Sequence, residues 1–161
     1  MHDEQMEKAL FEKFGQLRDK IEQVKATLNN PGWEDLVDEL VAQGVIPKDE
    51  IIGYLSKHLG IPYVDLQEYD LDHDTVCKIS REVAQKHACV CIGSIPTSVV
   101  IAIADPNNIF AIDDIKFLTD RNVDVVLALK SDILKAIDLY YENRLSEINE
   151  WKRQARIKKL N

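Results

Sequence analysis

The sequence predicts an α+β fold: a helical N-terminal half alongside a small three-stranded mixed sheet flanked by helices, in the order helix-strand-strand-helix-strand-helix. Three observations carry this. Apolar residues recur at three- and four-residue spacings through the first sixty positions, the signature of amphipathic helices. An alternating stretch over 88–95 and the β-branched run Val99-Val100-Ile101-Ala102-Ile103 flank Pro96-Thr97, which reads as an antiparallel hairpin with a well-buried second strand. A helical pattern over 107–119 separates that hairpin from a third strand over 123–129. The third strand therefore returns by a right-handed helical crossover and lies parallel to its neighbour.

Taken in order, residues 3–29 read as one helix. Leu10, Phe14, Leu17, Ile21, Val24 and Leu28 alternate by four and three, as in a coiled-coil seam, although Gly15 weakens the helix by about 1 kcal/mol relative to Ala. The seam either packs within the domain or pairs with a second chain. Asn29-Asn30-Pro31-Gly32 stops the helix. A second helix is expected over 33–43, striped by Leu36, Val37, Leu40 and Val41, with Gly44 as its terminator. Pro47 opens a third, carrying Ile51, Ile52, Leu55 and Leu59 and ending at Gly60, so that 33–60 forms a helical hairpin with an apolar corner at Val45-Ile46.

The segment 61–66 is extended, 74–79 a short helix, and Ser80 caps a further helix through His87. Ser131 is expected to cap the last helix, which continues past Trp151. The organisation that follows is an amphipathic helix over 1–30, a helical hairpin over 31–66, an α/β part over 67–145 and a basic helix or tail over 146–161.

With 161 residues, 45% apolar and 30% charged, the composition is that of a globular chain. A net charge of −8 argues against general nucleic-acid binding, which needs positive charge to displace counterions. No apolar run approaches the length of a membrane span and the acidic, polar start is unlike a signal peptide, so the expected location is cytoplasmic. Cys89 and Cys91 share one face of a strand and read as small apolar side chains, as does Cys77 on its short helix. The four histidines, His2, His58, His73 and His87, are scattered; no metal, cofactor or catalytic residue is expected. Adjacent Asp113 and Asp114 diverge by about 100° on a helix and read as partners of its N-terminal dipole.

Three strings stand in register: Leu59-Gly60-Ile61-Pro62-Tyr63-Val64-Asp65-Leu66, Ile103-Ala104-Asp105-Pro106-Asn107-Asn108, and Ala111-Ile112-Asp113-Asp114-Ile115-Lys116-Phe117-Leu118-Thr119. Ala136-Ile137-Asp138-Leu139-Tyr140-Tyr141 follows. Together, over about 33–142, they resemble the N-terminal domain of type II secretion and type IV pilus assembly ATPases. The resemblance implies a non-catalytic docking or adaptor domain for protein transport. Its partner would be a cytoplasmic domain of an inner-membrane platform protein, with only indirect membrane contact. A homodimer through the Leu10–Leu28 seam is the alternative use of that seam.

Two departures from the family pattern bear on activity. The chain has no Gly-x-x-x-x-Gly-Lys-Ser/Thr loop, and where a full-length member would continue into its motor it ends in a basic stretch containing Lys152, Arg153, Arg156, Lys158 and Lys159. It is expected to be a natural stand-alone copy or an excised domain. The tail reads as a solvated terminus, with an anionic membrane surface or an acidic partner as alternatives.

The second departure concerns cyclic di-GMP. One branch of the resembled family binds it through two tandem copies of a motif that starts Arg-Leu-Gly, has a Gly at the hairpin corner and ends in Gln. Aligned on Gly44, Asp35 takes the Arg position, Leu36 keeps the Leu, Val37 takes the Gly and His58 the Gln. An aspartate there repels a dianionic ligand. The first copy is expected to be replaced by the long N-terminal helix. The hairpin residues Asp35, Leu36, Gly44 and His58 are thus the candidate site only under the alternative, nucleotide-sensing reading.

Overall fold

The computed structural model describes residues 2–29 and 31–160, with side chains over 4–29 and 31–158; Asn30 of the predicted helix stop and the side chains of His2 and Lys159 lie outside the described residues. The fold is mixed α+β, with a single three-stranded mixed sheet among the described residues, and divides into two units, Met1–Gly60 and Ile61–Asn161.

The first unit is helical. It contains α1 (His2–Lys13), a 3-10 turn (Gly15–Leu17), α2 (Arg18–Thr27), α3 (Trp33–Ala42) and α4 (Lys48–Leu59). The single helix expected over 3–29 is therefore corrected to two. The chain leaves helical geometry at Phe14 (φ −112°, ψ 40°) and turns through Gly15. It then reverses: Lys25 Nζ reaches Glu7 Oε2 at 2.8 Å, whereas eighteen residues of continuous helix would span about 27 Å. The physical reason lies in burial. Leu10, Phe14, Ile21 and Val24 are all buried in the chain, and a straight helix could not fold both of its halves back onto one unit.

At the other end, α3 closes in a Schellman turn. Gly44 takes φ 71°, its N–H bonds Val41 O at 3.0 Å, and Val45 N–H bonds Leu40 O at 3.0 Å. Pro47 occupies the N-cap of α4, one residue before the position expected for it. Gly60 ends α4 at φ 67°.

The second unit holds α5 (His73–Val76), α6 (Arg81–His87), β1 (Cys89–Ile95), β2 (Ser98–Ile103), α7 (Ile109–Thr119), β3 (Asn122–Leu127), α8 (Lys130–Tyr140) and α9 (Leu145–Leu160). Sheet order is β1-β2-β3, with β1 antiparallel and β3 parallel to β2. The register shifts between Cys91 and Gly93, leaving Ile92 as a bulge. Val99, Ile101, Ala102 and Ile103 are fully buried, so β2 is covered on both faces, as its unbroken apolar run requires. The extended start of the unit lies beside β3: Val64 N–H bonds Leu127 O at 2.9 Å and Leu127 N–H bonds Pro62 O at 2.8 Å.

Caps follow the sequence in two places. Ser80 Oγ accepts from Val83 N–H at 3.2 Å, and Asn108 Oδ1 from Ala111 N–H at 3.2 Å. They fail in a third, because Ser131 lies inside α8 and Leu129 is its N-cap. The last helix is also broken. Asn143 at φ 52° separates α8 from α9, and Arg144, paired with Asp138 at 3.0 Å and Glu147 at 2.7 Å, holds the corner. The basic segment is part of this helix and not a loose tail. Trp151 and Ala155 are buried, Trp151 O accepts from Gln67 Nε2 at 2.7 Å, and Lys152 Nζ meets Asp70 at 2.6 Å.

Candidate interaction surfaces

Of the six seam residues, four are core. Leu10 and Ile21 are 0% exposed, Phe14 2% and Val24 4%; only Leu17 and Leu28 are partly open. Phe14 packs edge-on against Tyr54 of α4, ring centroids 5.9 Å apart, and Tyr54 donates to Ala9 O at 3.1 Å. These side chains hold α1 and α4 together. A seam paired with another chain would leave them bare in the single chain; their burial is what the packing alternative for the seam expects.

The hairpin residues divide differently. Leu36 is buried, Asp35 lies in the first turn of α3 and accepts from Gly32 N–H at 3.2 Å, and His58 is exposed in the last turn of α4, stacked on Tyr54 at 6.0 Å. Gly44 stands at the opposite end of α3 from Asp35, about 14 Å along the helix. Asp35 thus serves the backbone of its own helix start. Beside Gly44 a groove of about 470 Å³ is lined by Lys20, Gln23, Thr27, Gln43 and Val45. Upstream, the fold-back of α1 and α2 supplies a second helical hairpin, with Gly15 at its corner, where a continuous helix was expected.

In the second unit the structure corrects two readings. Cys77 is exposed, with Sγ 3.8 Å from the His73 ring, while Cys89 and Cys91 are buried as expected. Burial pushes the Cys89 thiol up to about 12, so it is an inert thiol at neutral pH. Asp113 and Asp114 do not lie in the first turn of α7. Asp114 instead bonds the nearly buried His87 Nε2 at 2.8 Å, with Lys86 at 3.8 Å, tying α7 to the end of α6. His87 was the partner the sequence did not reveal, because twenty-seven residues separate the two.

The feature absent from the sequence reading is the outer face of α7. Ala111 and Ile115 are buried, yet Phe110 is 78% and Phe117 85% exposed, flanked by Ile109 and Leu118. A signal was present: α7 is apolar nearly all round, more than one buried stripe requires. Among the described residues, no cluster of three or more His, Cys, Asp or Glu could hold a metal ion, and no helix is long and apolar enough to cross a membrane.

The fold is that of an α+β domain, and the strings read from the sequence lie, from Ile61 onward, in its second unit. Residues 59–147 match the model of the MshEN domain, and the chain belongs to that family. It is 38% identical over 105 residues to the type IV pilus assembly ATPase PilB of Myxococcus xanthus, covering 65% of this chain and 19% of that protein. Against PilB of Thermus thermophilus it is 28% identical over 123 residues, covering 73% of this chain and 14% of the relative. The chain therefore spans less than a fifth of the curated relatives it matches. Among solved structures, that of MshE with cdg superposes with a TM-score of 0.60 at 23% identity, covering 84% of this chain and 98% of the other. The N-terminal domain of XpsE superposes at 0.55 and 19% identity, covering 84% and 96%. At these identities the superpositions show a shared fold. The residues of the family match lie almost wholly in the second unit, and nearly all of the first lies outside that match.

Proposed function

We propose that this chain is a non-catalytic docking domain of a type II secretion or type IV pilus machine. Its partner is a cytoplasmic domain of the inner-membrane platform protein, and it works on the cytoplasmic side of that membrane. The observation that supports this most directly is the MshEN match over 59–147, on the N-terminal domain of relatives whose names are those of pilus motors. In the second unit the strings that carry the match are occupied with structure: Pro62 in the strand extension, Asp105 turning the chain to Asn107, Asn108 capping α7 and Asp114 holding His87. Titrating the purified chain with the platform protein's cytoplasmic domain should give saturable one-to-one binding. Its absence would overturn the docking reading.

A second reading, cyclic di-GMP sensing, is favoured by one observation: the first unit contains two helical hairpins in tandem, with Gly15 and Gly44 at their corners. Against it stands the carboxylate of Asp35, committed to the Gly32 amide, where the motif calls for a phosphate-binding guanidinium. Isothermal titration with cyclic di-GMP is expected to show no binding in the micromolar range. A micromolar isotherm would replace the docking reading of the first unit with a sensing one.

A further inference from the structure

The outermost stripe of α7 reads Phe110, Asp113 and Phe117, at spacings i, i+3 and i+7, and Asp120 follows as the left-handed C-cap of the helix. It lies opposite the buried Ala111 and Ile115. Two phenylalanines this exposed on one stripe are unusual for a surface that meets only water, since contiguous exposed apolar patches mark interaction sites. Asp113 and Asp120 are exposed and lie between and beyond the rings; neither is ion-paired among the described residues. The remaining acid on this side, Asp114, is held by His87 and Lys86, and Lys116 is the one cation on the helix.

Resting on the docking reading above, we propose that this stripe receives a basic amphipathic helix of the protein partner. Its apolar residues cover Phe110 and Phe117, and its arginines or lysines meet Asp113 and Asp120. The charge pattern selects this occupant. A second copy of α7 presents the same stripe, which carries no cation of its own to meet Asp113 and Asp120, and an anionic lipid surface is repelled by the same carboxylates. A guanidinium satisfies both parts of the stripe, stacking on a phenyl face and pairing with a carboxylate. The stripe from Phe110 to Asp120 is about 15 Å long, enough for about three turns of a partner helix.

The test uses the whole chain and the platform protein's cytoplasmic domain. Two double variants are compared with wild type: Phe110→Ser with Phe117→Ser, and Asp113→Lys with Asp120→Lys. All four side chains are exposed, so circular dichroism should be unchanged in both; Asp120 stands at φ 52°, which aspartate tolerates better than lysine, so the second variant alone should melt slightly lower. The first variant should lose at least about tenfold in affinity. The second should also weaken binding, and should remove the loss of affinity that wild type shows between about 50 and 300 mM salt. Wild-type binding that both variants retain in full overturns this assignment and leaves the docking reading standing. No wild-type binding overturns both. Weaker binding by the phenylalanine variant alone, with charge reversal neutral, overturns the basic character of the partner. A wild-type chain that dimerises, or that co-sediments with phosphatidylglycerol vesicles, through Phe110 and Phe117 overturns the choice of occupant.

Discussion

Replacing Ile21 with Asp should unfold the first unit, whereas Leu17→Asp should leave it folded. Ile21 is 0% exposed and sits in α2, where the reversed chain presses it into the unit's interior; Leu17 is partly open, in the 3-10 turn. A carboxylate at position 21 would be buried without a cation, which costs at least about 4 kcal/mol, a large part of the stability of a domain this size. At position 17 the charge reaches water and the cost is under about 1 kcal/mol. Trp33, 1% exposed in the same unit, provides the readout: its emission should shift to the red in Ile21→Asp and not in Leu17→Asp. If instead both variants stay folded and a wild-type dimer falls to monomer in sedimentation, the seam is intermolecular and the packing described for it is wrong.

The second large effect is expected at the centre of the sheet. Ile101 is 0% exposed in β2 and stands between Cys91 on β1 and Val125 on β3. Ile101→Ala removes apolar volume where neither neighbouring strand can close in, since both are hydrogen-bonded to β2. The cost is about 3 kcal/mol, lowering the melting temperature of the second unit by roughly 10–20 °C. Asp124→Ala, exposed on β3, should change stability by no more than about 0.5 kcal/mol. Urea denaturation separates the two. Equal midpoints for these variants would mean that the second unit is not organised around β2.

Much of the second unit was legible because its signals are local. The β-branched run of β2, the turn at Pro96-Thr97, and the caps at Ser80 and Asn108 each act within a few residues, and the structure uses each of them. The parallel placement of β3 followed from chain handedness once α7 was recognised. The corner at Gly44 was equally readable, because glycine is the residue that takes positive φ without strain.

What was misread involved choices that local chemistry leaves balanced. A four-three apolar spacing is the same whether one helix faces a partner or two shorter helices fold back to face a shared interior. Gly15 tilts that choice by only about 1 kcal/mol, and burial of Leu10, Phe14, Ile21 and Val24 decides it. The break at Asn143 is similar. Nothing in the pattern from Ile133 to Trp151 demands a corner, but Arg144 finds three carboxylates there, Asp138, Glu142 and Glu147, and Trp151 finds the core. Cys77 and Ser131 were misplaced by one or two residues at helix ends, where boundaries are least determined.

The amino-acid sequence by itself determined the α+β class, the strand directions and the family, because those depend on periodicity, turn chemistry and strings of residues that act locally. Only the tertiary structure decided which apolar residues enter the core and which stay exposed. The seam on α1 and α2 and the stripe on α7 are both apolar at helical spacing. Chain reversal at Gly15 buries the first, while Ala111 and Ile115 satisfy the sheet and leave Phe110 and Phe117 facing water.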